Sequence, residues 1–395
     1  MMVVMKINYM LLQYSIIMNT SRGFNMDNYF SAPTLVDISL TNRCNMCCSY
    51  CYASSGTVDD AITELTCEDY EKIFAELDNL RVHRISLSGG EPFIRKDFFD
   101  ILKLAEKHHF AIVINSNGTL ITEEIAKELK KYRFDRICIT LDGSQPTIHE
   151  SMRGSGSFQN VIKGIKELQR CNLPVSTLFT LNKNNVKDLI NTIKFNELLG
   201  ISYMTVMIVC PTGRASDGAM LVRPEEWYPV FYEITKMKAE NKIKLNLRIV
   251  PPNEGEIFWH YYFPLEYYGR VDLLKVWNQD IKEKENSKRE ISCTAGKRAA
   301  SIMYNGDVYG CDLMCGIEDF RAGNIKENSF IEIWNESPVF KKLRNLSFKD
   351  VVGPCGQCEY KWCGGGCRSA AYNLSGSYYG SDLSCFKGKR DTNVE

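Results

Sequence analysis

The stretch Cys44-Asn-Met-Cys-Cys-Ser-Tyr-Cys51 decides how this chain is interpreted, and it directly follows a segment of β character. Within it, Cys44, Cys48 and Cys51 have the spacing C-x3-C-x2-C. Three thiolates at this spacing on a loop can hold three irons of a [4Fe–4S] cube and leave the fourth iron open. Cys47 lies outside that spacing, and we interpret it as a bystander. A zinc loop is the alternative, with Cys47 as a fourth ligand.

Downstream of these cysteines, short apolar segments alternate with segments of helical periodicity. Strands that alternate with helices predict a parallel sheet. We therefore expect an α/β fold in which a partial (β/α)6 barrel of the TIM type is followed by a cysteine-rich domain with little regular structure. The predicted strands are 34–41, 85–88, 111–115, 137–141, 175–181 and 203–209, and the predicted helices lie near 65–77, 97–108, 122–131, 158–170, 186–199 and 224–239.

Polar motifs follow three successive predicted strands. They are Gly89-Gly90-Glu91-Pro92, Asn115-Ser116-Asn117-Gly118 and Thr140-Leu141-Asp142-Gly143. In parallel β/α barrels the carboxyl ends of the strands form the active site, so these motifs should converge on the cysteine loop. Each tetrapeptide alone is a weak signal, since Gly-Gly-Glu-Pro is also an ordinary turn. Their order along one chain is the stronger signal.

Residues 34–210 resemble the radical S-adenosylmethionine (SAM) enzymes. The resemblance rests on the cysteine spacing with Tyr50 before the last cysteine, on the Gly-Gly-Glu-Pro motif and on Asp142 at strand four. It implies that the amino and carboxylate groups of SAM chelate the open iron of a [4Fe–4S] cluster. One electron then cleaves SAM to methionine and a 5′-deoxyadenosyl radical, which abstracts a substrate hydrogen. It also implies a flavodoxin- or ferredoxin-type reductant as a partner.

The same resemblance suggests which residues bind SAM. Gly89, Gly90 and Glu91 would lie along its methionine end, with the Glu91 carboxylate accepting a hydrogen bond from the amino group. Asn117 and Asp142 are candidates for holding the methionine or the ribose. Tyr50 belongs to the same predicted set.

Three more polar residues near these motifs are candidates. Thr140 stands where many relatives have serine, and it keeps the hydroxyl. Arg153 is a candidate partner for a carboxylate, and Arg214 has the same status. The alternative for both arginines is an ordinary surface position.

The C-terminal cysteines form a second pattern, in which C-x12-G-x4-C precedes C-x2-C-x4-C-x3-C and a last distant cysteine. It resembles the SPASM extension of radical SAM enzymes, whose usual third gap is x5 rather than x4. The family pattern implies two auxiliary Fe–S clusters, and a pair of structural zinc sites is the alternative. The implied ligands are Cys355, Cys358, Cys363 and Cys385 for one cluster, and Cys293, Cys311 and Cys367 for the other, with Cys315 or an open iron in fourth place.

Asp312 directly follows Cys311 in this pattern. In related sulfatase-maturing enzymes an aspartate at this place acts as a base during substrate oxidation. A carboxylate beside a cluster could transfer a proton here as well, so Asp312 is our candidate catalytic residue. The alternative is a loop aspartate that caps a turn.

Composition limits the class of protein. Of the 395 residues, 44% are hydrophobic and 24% are charged, which is ordinary for a globular protein. Lys+Arg and Asp+Glu are both 48, and this balance argues against a general binder of nucleic acid or of anionic membranes. No apolar run reaches the ~18 residues of a membrane span. The 16 cysteines, in a chain without a clear secretory signal, indicate metal sites and a cytoplasmic location.

We divide the chain into five segments. The aromatic stretch 257–270 is predicted to pack between the barrel and the cluster domain, and the alternative is that it lines a peptide groove. The segments are an N-terminal extension at 1–33, which a misassigned start codon would explain, a radical SAM barrel at 34–245, a bridging segment at 246–290, a SPASM auxiliary-cluster domain at 291–388 and a tail at 389–395.

The substrate is less well defined than the chemistry. SPASM relatives mostly cross-link or oxidise peptides and proteins, so a peptide or protein substrate is our first expectation. Only 43 residues precede Cys44, too few for the leader-binding domain that many such enzymes carry, so a separate leader-binding protein is a possible partner. The alternatives are modification of a haem or tetrapyrrole precursor, anaerobic sulfatase maturation, and a non-catalytic Fe–S electron carrier.

Overall fold

A computed structural model describes residues 29–56, 63–252, 258–279, 290–360 and 363–387. Its centre is one continuous sheet of ten strands in the order β10-β9-β8-β1-β2-β3-β4-β5-β6-β7. The strands are β1 Leu35–Ser39, β2 Arg84–Ser88, β3 Ala111–Ser116, β4 Arg136–Thr140, β5 Val175–Leu181, β6 Tyr203–Ile208, β7 Asn246–Val250, β8 Ala299–Ile302, β9 Asp307–Tyr309 and β10 Gly323–Asn324.

Strands β1 to β7 pair in chain order, and each neighbouring pair is parallel. The six strands predicted from sequence are confirmed, because each coincides with one of β1 to β6 within a few residues. The seventh strand was not predicted. It occupies 246–250, where we had placed the start of a bridging segment, and it pairs in parallel with β6.

The C-terminal region adds strands to the same sheet. Strand β8 pairs in parallel with β1, with Leu35 opposite Ala299. Strands β9 and β10 continue outward in antiparallel pairing. The partial barrel and the C-terminal region therefore share main-chain hydrogen bonds as well as side-chain packing.

Helices lie in the connections between strands. The first of them illustrates why such segments are helical. Helix α1 has a capping box in which Thr66 and Asp69 satisfy each other's backbone N–H groups, and its buried residues Tyr70, Ile73, Phe74 and Leu77 share one face. The α-helices are α1 Cys67–Asn79, α2 Phe98–Ala105, α3 Glu123–Leu129, α4 Pro146–Arg153, α5 Ser157–Arg170, α6 Leu189–Leu198, α7 Pro224–Ala239, α8 Phe263–Tyr267, α9 Phe330–Glu336, α10 Pro338–Asn345, α11 Pro354–Gln357 and α12 Arg368–Ser375.

The aromatic segment packs between barrel and C-terminal region, as predicted. Trp259, Tyr261 and Phe263 are almost fully buried. The Phe263 ring lies 5.4 Å from that of Tyr360, and the His260 ring lies 4.9 Å from that of Phe386. The aromatic residues belong to one hydrophobic cluster together with buried residues of β5 to β7 and α7.

Several predictions concern residues outside the described part of the chain. They are most of the N-terminal extension, most of the charged segment 280–290, Trp362 and the C-terminal tail. Among the described residues, no helix combines the length and the apolar character needed to cross a bilayer.

Candidate functional site

The cysteine loop begins where β1 ends, and backbone hydrogen bonds join it to the Gly-Gly-Glu-Pro loop. Gly90 N–H donates to the Thr41 carbonyl at 2.6 Å, and Glu91 N–H donates to the Arg43 carbonyl at 2.9 Å. A Cβ at Gly90 would lie 2.1 Å from the Arg43 carbonyl oxygen. Gly89 adopts a φ of +133°, a conformation that favours glycine. Both glycines are thus required by the close approach of two backbone segments.

Cys44, Cys48 and Cys51 are half-buried neighbours on this loop, whereas Cys47 is exposed. Burial raises the pKa of the Cys44 thiol to about 11, and the thiols of Cys48 and Cys51 add to that shift. Burial also raises the pKa of Cys48, which has Cys51 and Arg153 among its charged neighbours. The three thiols of the predicted spacing are therefore close enough to influence one another, and Cys47 differs from them in its exposure.

Glu91 is fully buried and links two loops. Its carboxylate accepts hydrogen bonds from Ser116 Oγ at 2.8 Å, from Asn117 N–H at 2.8 Å and from Phe93 N–H at 3.3 Å. Burial raises the pKa of this carboxyl to about 7, although these hydrogen bonds oppose the shift. Two carboxylate oxygens offer about four acceptor sites, so one remains for a further donor such as an ammonium group.

Asn117 holds the cysteine loop with its own side chain. Its Nδ2 donates to Asn45 Oδ1 at 2.9 Å and lies 3.9 Å from Cys44 Sγ. Its Oδ1 accepts from the backbone N–H of Thr119 at 2.9 Å. Thr140 is the last residue of β4 and is half-buried at the same edge of the sheet. Asn45 was not selected from the sequence, because nothing in its local pattern separates it from other loop asparagines.

Tyr50, Asp142 and Arg153 form a buried network on the other side of the loop. Asp142 Oδ2 accepts a hydrogen bond from Tyr50 and another from Arg153 Nε, and its Oδ1 accepts from Thr180 N–H at 2.6 Å. Arg153 is 7% exposed, so the surface alternative for this residue is wrong. Its Nη1 is buried and has no hydrogen-bond partner among the described residues, so its N–H groups can donate to a bound ligand.

Arg214 binds the cysteine loop through its carbonyls. Its Nε donates to the carbonyl of Cys48 at 2.7 Å, and its Nη1 donates to that of Ser55 at 2.8 Å. Its backbone N–H donates to the carbonyl of Cys51 at 3.0 Å. Our expectation that Arg214 pairs with a carboxylate therefore differs from these contacts. Its observed partners are main-chain oxygens, which no sequence pattern identifies.

The C-terminal cysteines fall into two groups of neighbours. Electrostatic interactions link Cys293, Cys311 and Cys367 in one group and Cys363, Cys355 and Cys385 in the other. No group of three or more His, Cys, Asp or Glu side chains in the described part of the chain is arranged to hold a single metal ion. The predicted sets are Cys293, Cys311 and Cys367, and Cys355, Cys358, Cys363 and Cys385. Each group of neighbours falls within one predicted set, and the place of Cys358 stays a prediction.

Close packing within the protein requires glycine in the Gly364-Gly365-Gly366 stretch beside Cys363 and Cys367. A Cβ at Gly364 would lie 1.9 Å from Ser292 Oγ, and a Cβ at Gly366 would lie 2.5 Å from Asp382 Cβ. Asp382 in turn accepts a hydrogen bond from the backbone N–H of Cys367 at 2.8 Å. These glycines thus let the ligand loop pack against its neighbours.

A polar row crosses the inner face of the sheet at Asp37. Register places Ser86 of β2 and Ser301 of β8 on either side of Asp37. Cys315 Sγ lies 3.5 Å from Ser301 Oγ, which brings this cysteine to the end of the row. Cys315 also lies near Cys311, as its predicted role as a fourth ligand requires. Asp37 was not selected from the sequence, because a single aspartate in a strand carries no motif.

Asp312 lies beside this row and close to the cysteine loop. Burial, with a contribution from Asp37, raises the pKa of its carboxyl to about 7. Tyr52 interacts electrostatically with Asp312 and Cys315 and also with Cys51 of the first loop. Tyr52 therefore lies near both the first cysteine loop and the Cys311–Cys315 segment. The sequence alone does not indicate this position.

Two family models match the chain, one over the barrel and one over the C-terminal region. The Radical SAM superfamily model matches residues 38–195, and the SPASM iron–sulfur cluster-binding domain matches residues 293–359. The chain thus has a radical SAM domain and a SPASM domain. The radical SAM domain implies SAM and a [4Fe–4S] cluster as cofactors, and the SPASM domain implies auxiliary Fe–S clusters.

Individual relatives extend the match over most of the chain. An AdoMet-dependent heme synthase of Methanosarcina barkeri is 29% identical over 356 residues, which cover 90% of this chain and 97% of that protein. Mycofactocin maturase MftC of Mycobacterium tuberculosis is 27% identical over 360 residues, which cover 90% of this chain and 84% of that protein.

Solved structures share the fold. Streptococcus suis SuiB bound to precursor peptide SuiA superposes with a TM-score of 0.71 at 18% identity, covering 91% of this chain and 77% of that one. Native anSMEcpe with bound AdoMet superposes with a TM-score of 0.66 at 20% identity, covering 90% and 94%. At these identities the likeness establishes the architecture alone.

The residues present fit the implied cofactors. Thiols in the predicted groups are soft ligands suited to iron–sulfur clusters. The buried Nη1 of Arg153, which lacks a partner among the described residues, is a donor for an anionic group such as the carboxylate of SAM. The remaining acceptor capacity of Glu91 suits an ammonium group.

Proposed function

We propose that this chain is a radical SAM enzyme that cross-links or oxidises a ribosomally made peptide or protein. The observation that carries this proposal is the position of Tyr52, which interacts with Cys51 of the first loop and with Asp312 and Cys315 of the C-terminal domain. A substrate bound beside Tyr52 would meet a carboxylate and cysteines of both domains at once.

The proposal assigns roles to three charged site residues and to the predicted cysteine ligands. Glu91 and Arg153 hold the ammonium and carboxylate groups of SAM, and Asp312 accepts the proton that the oxidised substrate releases. When bound, SAM on the first cluster supplies hydrogen-atom abstraction, and the auxiliary clusters supply an electron acceptor. The ligands are Cys44, Cys48 and Cys51 for the first cluster, Cys355, Cys358, Cys363 and Cys385 for one auxiliary cluster, and Cys293, Cys311 and Cys367 with Cys315 for the other.

The charges around the site favour a peptide over a tetrapyrrole. Arg153 is paired with Asp142, and Arg43 is paired with Glu64 at 3.0 Å. Asp312 adds a carboxyl near Tyr52. Arg214 also contacts the cysteine loop, through main-chain oxygens. A precursor with several propionate groups would need several cations without a carboxylate partner, whereas a peptide with few charges would not. The 27% identity to mycofactocin maturase MftC also supports a maturase.

Modification of a tetrapyrrole is the second candidate function. The observation in its favour is the 29% identity to an AdoMet-dependent heme synthase, which extends over 97% of that protein.

Intact-mass spectrometry tests the proposal. The chain would be co-expressed anaerobically with each short open reading frame beside its gene, and each peptide would be weighed. We expect one peptide to lose two hydrogens, and to remain unmodified with Cys48→Ala. We expect Asp312→Asn to reduce peptide modification while the formation of 5′-deoxyadenosine continues.

The same protein would be incubated with an iron tetrapyrrole that carries propionate groups. A mass change in the tetrapyrrole, with every peptide unchanged, would contradict the proposal and establish the second candidate. Absence of 5′-deoxyadenosine under all conditions would contradict both.

A further inference from the structure

The thiol of Cys210, just after β6, lies against Cys367 of the C-terminal domain. The two Sγ atoms are 3.9 Å apart, although 157 positions separate the residues in the chain. Cys210 is 6% exposed and Cys367 is 4% exposed. Ala370 and Leu313 pack around the pair. The contact is therefore buried at the junction of barrel and C-terminal domain.

Neighbouring hydrogen bonds fix this contact in place. The backbone N–H of Thr212 donates to the Cys210 carbonyl at 2.8 Å. Thr212 Oγ1 donates to the carbonyl of Leu313 at 3.1 Å, and Leu313 is two residues from Cys311. The loop after β6 is thus tied to the segment that carries another predicted ligand.

Cys367 lies at the start of helix α12, and its sulfur also accepts hydrogen bonds from the backbone N–H groups of Ser369 and Ala370. A thiolate bound to iron has no proton, so it can only accept hydrogen bonds. The direction of the contact follows, with the Cys210 S–H as donor and the Cys367 sulfur as acceptor.

The short separation argues against Cys210 as a ligand of the same cluster. Each iron of a cube carries its own thiolate outward, so ligand sulfurs on different irons diverge from one another. Two sulfurs at 3.9 Å are instead at the distance of an S–H···S hydrogen bond.

We propose that Cys210 donates a hydrogen bond to the ligand sulfur of Cys367 and thereby raises the reduction potential of the auxiliary cluster bound there. Hydrogen bonds to the sulfurs are among the factors that set the potentials of Fe–S clusters, because they stabilise the additional negative charge of the reduced state. The inference rests on the ligand assignment in the proposed function, which gives Cys293, Cys311 and Cys367 to one cluster. Cys210 is a positioning and tuning residue, and it contacts no reacting atom.

Potentiometric titration of the anaerobically reconstituted full chain, followed by electron paramagnetic resonance, tests the inference. We expect Cys210→Ala to lower the potential of one auxiliary cluster enough to change its reduced-to-oxidised ratio about tenfold, which is about 59 mV for a one-electron couple. Iron and sulfide contents should equal those of the unaltered protein. Cys210→Ser keeps an O–H donor and should give a smaller shift.

Cys138→Ala is the matched control, because Cys138 is another buried thiol with a hydrogen bond, from Ser176 at 3.2 Å, but it lies in β4. It should leave all potentials unchanged. An unchanged potential in Cys210→Ala would overturn the inference, and so would a loss of iron, which would make Cys210 a ligand.

The titration needs no substrate, so its result is independent of whether a peptide is modified. Retention of every cluster in Cys367→Ala would overturn the ligand assignment itself, and the inference with it.

Discussion

Arg153 and Asp142 form a buried ion pair, with 2.5 Å between Nε and Oδ2. Tyr50 donates a hydrogen bond to the same carboxylate from within the cysteine loop. Charges removed from water are costly unless they are paired and hydrogen-bonded. The pair therefore anchors the cysteine loop to β4 and helix α4 from beneath, while Arg153 keeps one donor for a ligand.

Removal of one partner of this pair should be strongly destabilising. We expect Asp142→Asn to lower the free energy of unfolding by about 3–5 kcal/mol, because the Arg153 charge loses its counterion. Urea denaturation of the cluster-free protein measures the change. Lys127→Ala is the control, since it breaks an exposed pair with Glu123 and should lower the free energy of unfolding far less. Similar costs for the two variants would contradict the prediction.

His149 should make stability depend on pH. It is fully buried, and burial lowers its pKa from 6.5 to about 4. At this residue the unfolded chain binds more protons than the folded one within this range, whereas the raised pKa values of Glu91 and Asp312 act in the opposite direction. The contribution of His149 to the free energy of unfolding should therefore decrease as the pH falls from 6.5 to 4, by roughly 3 kcal/mol.

His149→Gln tests this expectation, because glutamine can still accept the hydrogen bond from the Asp142 N–H but does not titrate. Urea denaturation at a series of pH values should show that the unaltered protein loses stability relative to this variant as the pH falls from 6.5 to 4. His83→Gln, at an exposed histidine, should follow the pH profile of the unaltered protein. An unaltered pH profile in His149→Gln would show that other groups cause the dependence.

Gly90 should be essential for assembly of the first cluster site. In Gly90→Ala the new Cβ would meet the Arg43 carbonyl oxygen at 2.1 Å and displace the start of the cysteine loop. We expect the reconstituted variant to contain about one cluster less iron than the unaltered protein. Gly269→Ala is the control, because it adds backbone strain at a φ of +63° while its Cβ would meet nothing within 4 Å. Normal iron content in Gly90→Ala would show that the loop tolerates the displacement.

Cys48 and Cys47 are adjacent, but their variants should differ in every cluster-dependent property. Cys48→Ala should lose the iron of the first cluster and the formation of 5′-deoxyadenosine. Cys47→Ala should keep both, because this thiol is exposed. Iron analysis and chromatography of 5′-deoxyadenosine measure the two outcomes. A loss of iron in Cys47→Ala would instead make Cys47 a ligand, and zinc in place of iron in the unaltered protein would support the zinc loop.

Glu91→Gln should weaken SAM binding. Glutamine has one acceptor oxygen where the carboxylate has two, and its amide group would face the donor Asn117 N–H. Hydrogen bonds to charged groups contribute about 1.5–3 kcal/mol, so we expect the dissociation constant to rise roughly tenfold or more. Equilibrium dialysis on the cluster-loaded protein gives the constant. Ser116→Ala, which removes a single donor to Glu91, should have a smaller effect, and the reverse order would contradict the prediction.

The barrel could be predicted from sequence because its signals are local. Strands β1 to β6 are short apolar runs that end in turn residues, so each is legible within its own segment. Strand β7 was missed because Asn246–Val250 alternates exposed and buried residues over only five positions, without the apolar run that marks the inner strands. The pairing of β8 with β1 joins segments some 264 residues apart, and no local pattern encodes such a register.

The same distinction between local and long-range signals applies to the residues of the site. The cysteines and the Gly-Gly-Glu-Pro motif have a defined spacing, so they could be selected from the sequence. Asn45, Tyr52 and Cys210 could not, because each acquires its role from a neighbour that only the folded chain brings close. Arg214 was selected for its charge, but its partners are main-chain carbonyls, which every residue carries.

The position of β1 between β2 and β8 has a consequence for biosynthesis. Strand β1 leaves the ribosome early, yet its second neighbour is made only about 264 residues later. At about 5–20 residues per second this delay is roughly ten to fifty seconds. Throughout it, one edge of the nascent sheet has unpaired main-chain groups, which can pair with other chains. The cell must therefore shield this edge until strands β8 and β9 are made. A chain truncated before residue 299 would keep the exposed edge and tend to aggregate.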